Sequence, residues 1–205
     1  MGALLGAFMV LLVPQLAAAA ATTVVDWGRC PPGQSGNDCA SLQLLLDPTD
    51  PTKGNVTGFV RRFYSGSTAT ANSLWMFAGG PGDSAEAFSG GAEYFLSVDP
   101  TVTVYLMDQR GVGRSSPVDC SEPPLYPYDA HNATIVAAYD GCNADVAAKY
   151  GKVVEYYSTY YAALDYKAAV EAINPDKVAI YALSFGTYAL NSYLLVGGRA
   201  DVLVS

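Results

Sequence analysis

Ser184 stands in the stretch Ala182-Leu183-Ser184-Phe185-Gly186, where a serine nucleophile can be built. A serine hydroxyl attacks a carbonyl only when it is lifted clear of its own backbone, and a sharp strand-to-helix turn does that. Strand and helix approach closely at such a turn, so the residues two before and two after the serine must be small. Gly186 meets that requirement, and Ala182 departs from the usual glycine by one methyl group. The N–H of Phe185, the residue after the serine, is then aimed at the oxyanion that forms on attack. Small-x-Ser-x-Gly alone also fits an ordinary strand–helix turn. Its weight comes from the strand-like run before it and the helix-like run after it.

Gly79-Gly80-Pro81-Gly82 follows another apolar run, and its glycines let backbone approach a substrate closely, with the Gly80 N–H as a second oxyanion donor. Gly80 to Ala85 also matches the letters of a dinucleotide-binding loop. That reading fails physically: Pro81 removes a donor, and Asp83 places negative charge where a pyrophosphate would sit. Asp108-Gln109-Arg110-Gly111 closes a third apolar run. Asp108 and Arg110 are expected to pair locally and organise the loop beside the glycine segment, with Gly79 and Gly82 as loop support.

Short apolar runs bounded by turn residues predict strands over 41–46, 56–64, 74–78, 101–107 and 178–183, with a further one beginning at 201. Helices are predicted over 84–98, 134–150, 156–173 and 187–196. In the third, Tyr160, Leu164, Tyr166, Ala169, Val170 and Ile173 mark the expected apolar face. Strands alternating with helices imply an α/β fold, a mostly parallel sheet covered on both faces. Chemistry in such sheets sits beyond the carboxyl ends of the strands, where all three glycine-containing turns fall. The strand at 178–183 is expected to be central and buried on both faces. Arg61-Arg62, the only adjacent basic pair, reads as a solvated strand face.

The chain has 205 residues and a net charge of -8, without a basic cluster, which excludes nucleic acid and anionic membrane surfaces as natural partners. Residues 1–21 are almost wholly apolar and end in alanines, which predicts a cleaved secretory signal peptide and a mature segment over 22–205; the rival is an uncleaved membrane anchor. Four cysteines, Cys30, Cys39, Cys120 and Cys142, agree with an oxidising compartment. They allow three connectivities, of which the local one, Cys30–Cys39 with Cys120–Cys142, is simplest. No metal site is expected, because there is no C-x-x-C and the single histidine is His131. Asn55 and Asn132 open glycosylation sequons. No cofactor is called for, and no pattern specifies an oligomeric state.

Taken in order, Gly79 to Gly82, Asp108 to Gly111 with Gly113 and Ser115, and Tyr181-x-x-Ser184-Phe185-Gly186-Thr187-Tyr188 resemble the prolyl aminopeptidase and tripeptidyl aminopeptidase group of α/β-hydrolases. Trp27 to Cys30, Cys39 and Cys120 resemble its secreted branch. The resemblance implies an α/β-hydrolase fold and a serine exopeptidase that releases residues from peptide N-termini. It assigns Ser184 as nucleophile and Gly80 and Phe185 as oxyanion donors. The hydrolase order is Ser, then Asp or Glu, then His. After Ser184 the sequence holds no histidine and one acid, Asp201, which comes too early for the triad acid. The expectation is an N-terminal portion that stops before the last strands and the cap and is inactive alone. The alternatives are a non-catalytic secreted binding module on the same fold, and an esterase or lipase using the same mechanism.

Overall fold

A computed structural model describes residues 25–121, 129–173 and 175–204. The expected signal peptide lies outside them. The apolar runs form strands β1 (Asp38–Leu45), β2 (Asn55–Phe63), β3 (Asn72–Phe77), β4 (Thr103–Met107), β5 (Lys177–Ala182) and β6 (Val202–Val204). Their order in one sheet is β1-β2-β4-β3-β5-β6. β2 runs antiparallel to β1 and β4, whereas β4, β3, β5 and β6 are mutually parallel. The helices are α1 (Ser89–Val98), α2 (Ala133–Tyr150), α3 (Thr159–Ile173) and α4 (Phe185–Leu195).

Alternation along β3 divides the core. Trp75 and Phe77 face α3 and α4: Trp75 stacks on Tyr105 of β4 at 4.9 Å, and Phe77 stacks on Tyr166 of α3 at 4.0 Å and meets Tyr193 of α4 edge-on at 5.4 Å. Leu74 and Met76 face the other way, packing with Val104, Leu106 and Ala92 of α1. Burying side chains of this size contributes about 1.5–3 kcal/mol each, so β3 and β4 are the fixed frame of the molecule. β5 is paired on both edges as expected, but Ala179 and Tyr181 on one face are only half-buried. Phe95 of α1 meets Tyr181 at 5.0 Å.

Three expectations are corrected. The segment after the glycine loop opens as a 3-10 turn, Ala85–Phe88, with Ser84 accepting from the Glu86 N–H, and becomes α-helical only at Ser89. In α3 the inward face is Ala162, Ala163, Asp165, Tyr166, Ala169 and Val170, while Tyr160 is 54% exposed. Small alanines let that helix approach the sheet, and a buried ion pair draws Asp165 inward. Lastly, Arg61 is not on a solvated face: its side chain is 0% exposed and ion-paired, while Arg62, its neighbour on the opposite face, pairs with Asp38 at 2.8 Å.

Among the described residues of α2 none is fully buried. Asn132 caps it by accepting from Thr134 and Ile135 N–H groups, and the Cys120–Cys142 disulfide tethers it. Lys149 and the Tyr150 hydroxyl both bond Asp119, at 2.9 and 2.6 Å. The other disulfide joins Cys30 to Cys39, so both bridges follow the local connectivity.

Candidate active site

Parallel pairing sets the site. The register of β3 on β5 places Phe77 opposite Ala182, so continuing both chains by two residues brings Gly79 to Ser184. A Cβ at Gly79 would lie 3.1 Å from the Ser184 Cβ and 3.2 Å from the Leu183 carbonyl oxygen. The Leu183 N–H donates to the Phe77 carbonyl at 3.4 Å, after which the chain turns. Ser184 sits at φ 54°, ψ -127°, and α4 begins at the next residue.

The turn is closed by backbone. Gly186 N–H donates to Leu183 O at 2.8 Å, and Thr187 donates to Ser184 O from its N–H at 2.9 Å and its hydroxyl at 2.7 Å. Ser184 is exposed, and its hydroxyl does not cap α4. Phe185 is the first residue of α4, where N–H groups have no intrahelical acceptor. Gly186 lies flat on β3: a Cβ there would stand 2.0 Å from the Phe77 carbonyl oxygen. Ala182 is buried at 2% exposure, so its methyl is housed in the core cluster shared with Phe77 and Ala189.

The glycine loop curls tightly. Gly80 has φ 115° and Gly82 φ 96°, conformations open to glycine. A Cβ at Gly80 would meet the Gly82 and Asp83 nitrogens at 2.8 and 2.9 Å. The arrangement therefore offers a protruding serine hydroxyl with a helix-terminal N–H behind it and a glycine segment in contact beside it.

Asp108 and Arg110 lie beneath, not in, this surface, and the expected local pairing is corrected: the buried charge of each is met by a partner distant in sequence, Arg61 for Asp108 and Asp165 for Arg110. Asp108 is fully buried and accepts from Arg61 through both oxygens at 3.1 Å, from the Ser84 hydroxyl at 3.0 Å, from Ala85 N–H at 2.8 Å and from Arg114 N–H at 2.9 Å. Gly113 is required there, since a Cβ would fall 2.4 Å from Asp108 Oδ2. Arg110 grips Asp165 at 2.6 and 2.7 Å and donates to the carbonyls of Leu45, Leu46 and Tyr156. Burial pushes the Asp165 carboxyl up, and Arg110 opposes that shift. Burial likewise raises Tyr166, whose hydroxyl donates to Met107 O at 3.1 Å.

Arg61, Ser84, Glu86 and Asp165 were missed from sequence. One signal for Arg61 was present: adjacent residues of a strand face opposite ways, so Arg61 and Arg62 cannot share one solvated face. Asn55 and Asn132 are both exposed, and so is His131. A cavity of ≈ 440 Å³ lies elsewhere, lined by Trp27, Arg62, Thr70, Tyr105, Ile173 and Pro175, and Ser184 takes no part in it. Among the described residues no helix is long and apolar enough to cross a membrane.

No family model and no curated protein matches the sequence. Solved structures do. A cold-adapted esterase from an Arctic intertidal metagenomic library superposes with TM-score 0.51 at 14% identity, over 87% of this chain and 64% of its own. A "probable hydrolytic enzyme" of Pseudomonas aeruginosa gives TM-score 0.50 at 14% identity, over 83% and 42%. A proline iminopeptidase-related protein of Thermus thermophilus gives 0.47 at 17%, over 80% and 42%. The chain thus spans less than two thirds of the length of these structures. Sheet order, the sharp strand-to-helix elbow at Ser184 and superposition agree on one architecture: this chain has the α/β-hydrolase fold.

Proposed function

We propose that the protein is a secreted serine hydrolase in which Ser184 Oγ attacks a carbonyl carbon, with the N–H groups of Gly80 and Phe185 binding the oxyanion. The observation that carries this is Ser184 itself: a non-glycine residue at φ 54°, exposed, with a hydroxyl not used to cap its helix and Gly79 against its flank. A serine held in that conformation costs about 1–3 kcal/mol, and here the cost is not offset by a cap bond from its hydroxyl.

In the reaction, the Ser184 hydroxyl gives its proton to a base as the Oγ–C bond forms. The amide C–N bond then breaks, the leaving amine takes that proton, and water releases the acyl group from Ser184. The step needs a general base within hydrogen-bond reach of Ser184 Oγ, whose hydroxyl is left out of the α4 cap. The motif resemblance favours peptide N-termini as substrate. Two disulfides suit an exported protein.

A fluorophosphonate probe tests the assignment. Mass spectrometry should place the adduct on Ser184, and Ser184→Ala should abolish it. An adduct on another residue, or labelling that survives the substitution, refutes the reading. Comparing aminoacyl arylamides with p-nitrophenyl esters then separates peptidase from esterase.

A further inference from the structure

Between the Cys30–Cys39 loop and the glycine loop lies a continuous set of charge-assisted bonds. The disulfide loop supplies Gln34, whose Oε1 accepts from Arg61 Nε at 3.0 Å and also from Nη2. It also supplies the Ser35 N–H, which donates to both Glu86 oxygens at 3.0 Å. Glu86 in turn pairs with Arg61 Nε at 3.0 Å. The far side of the Arg61 fork holds both oxygens of Asp108, and Asp108 holds Ser84 and Ala85. Those two residues are the C-terminal anchor of the Gly79 to Asp83 curl. A Cβ at Gly80 would stand 2.8 and 2.9 Å from the Gly82 and Asp83 nitrogens, so the curl is tight and holding Ser84 and Ala85 restrains Gly80.

We propose that Arg61 is a positioning residue for the glycine loop, and that the Cys30–Cys39 loop acts through it to hold the Gly80 N–H where an oxyanion would form. This rests on the hydrolase reading of Ser184 for its purpose, not for its geometry. A buried ion pair is weak evidence for stability, since well-packed apolar groups often do as well. A planar fork that engages four partners, Gln34, Glu86, Asp108 and Ser84, is something apolar groups cannot replace, and lysine cannot reproduce it. Gly80 and Gly82 both sit at positive φ, and a loop with such freedom keeps one shape only if its ends are fixed.

Hydrogen–deuterium exchange on the oxidised full chain tests the clamp, read as exchange of residues 79–88 relative to the strands at 72–77 and 103–107. Gln34→Ala removes one acceptor from a partly exposed loop residue, so the fold survives. It should raise the glycine-loop ratio about tenfold, the worth of one charge-assisted hydrogen bond. Arg61→Lys should raise it at least as much. Gln34→Glu keeps an acceptor oxygen and should restore the parent ratio. Val170→Ala, a core truncation in α3, should leave the ratio unchanged while lowering global stability. A ratio that stays at the parent value in both Gln34→Ala and Arg61→Lys, or that rises equally in Val170→Ala, overturns the proposal. Fluorophosphonate labelling of the same samples fails separately: an adduct on a residue other than Ser184 sinks the hydrolase reading, while the exchange ratio still decides the clamp.

Discussion

Gly186→Ala is the sharpest perturbation the site offers, because its cost can be read from atoms that cannot move. The new Cβ would stand 2.0 Å from the Phe77 carbonyl oxygen, 2.8 Å from its carbonyl carbon and 3.0 Å from the Ala78 carbonyl oxygen. All three are backbone atoms at the end of β3, a strand paired on both sides. Relief therefore requires α4 to lift by about 1 Å or more, against the packing of Tyr193 on Phe77. Overpacking costs about 1–3 kcal/mol where side chains can adjust. With only backbone to yield, about 3 kcal/mol or more is expected, which for a domain of this size lowers Tm by about 6–12 °C. Gly90→Ala in α1 is the control: no atom lies within 4 Å of its Cβ, and its φ is not in the left-handed range. Gly90 lies in the first turn of α1, and replacing it should stabilise by about 0.4–1 kcal/mol through the unfolded chain's entropy. Scanning calorimetry reads both, and fluorophosphonate labelling reads the elbow. A Gly186→Ala protein melting within about 1 °C of the parent, with Ser184 labelled at the parent rate, refutes the close-approach argument.

Asp108→Asn leaves the fully buried Arg61 guanidinium with only the partly exposed Glu86 as countercharge and should destabilise by about 3 kcal/mol in urea unfolding. The pH dependence has a definite sign. Burial alone would push the Glu86 carboxyl up, but the Ser35 hydrogen bonds and the Arg61 charge outweigh it and hold Glu86 below its usual range. The folded chain then binds fewer protons than the unfolded one. The stability Glu86 contributes is present above the ordinary glutamate value of 4.5 and is lost as pH falls through its lower folded value. Tm should drop through that acid window, and Glu86→Gln should flatten part of the drop; a drop of equal steepness in the variant would exclude Glu86 as a contributor.

The strands and the elbow were legible because their causes are local. A run such as Leu74 to Ala78 stopped by glycines can only be a buried strand or a short buried helix segment, and its length decides. Gly186 was readable for the same reason, since close approach admits one residue type. Arg61 and Asp165 were not readable, because a charge in an element looks solvent-facing until its partner is known. Arg61 meets Asp108 across 47 positions of sequence and Arg110 meets Asp165 across 55. No periodicity spans such distances. The misplaced face of α3 has the same origin: Asp165 interrupts the apolar pattern, and only Arg110 explains its burial.

Among the described residues two serines have positive φ, and the contrast between them bears on function. Ser116, at φ 44°, has a half-buried side chain whose hydroxyl accepts from the Thr57 N–H at 2.8 Å, so its unusual backbone serves a structural bond. Ser184, at φ 54°, is exposed and leaves its hydroxyl out of the cap, while the bonds that fix its turn all run through backbone or Thr187. A residue held in a sparsely populated conformation persists when its surroundings over-determine it. Here Gly186 against β3, Gly79 against the serine and Thr187 on its carbonyl do so without engaging the hydroxyl. Stability alone would favour glycine or asparagine at such a turn. A serine there makes sense if the oxygen itself is what the turn presents.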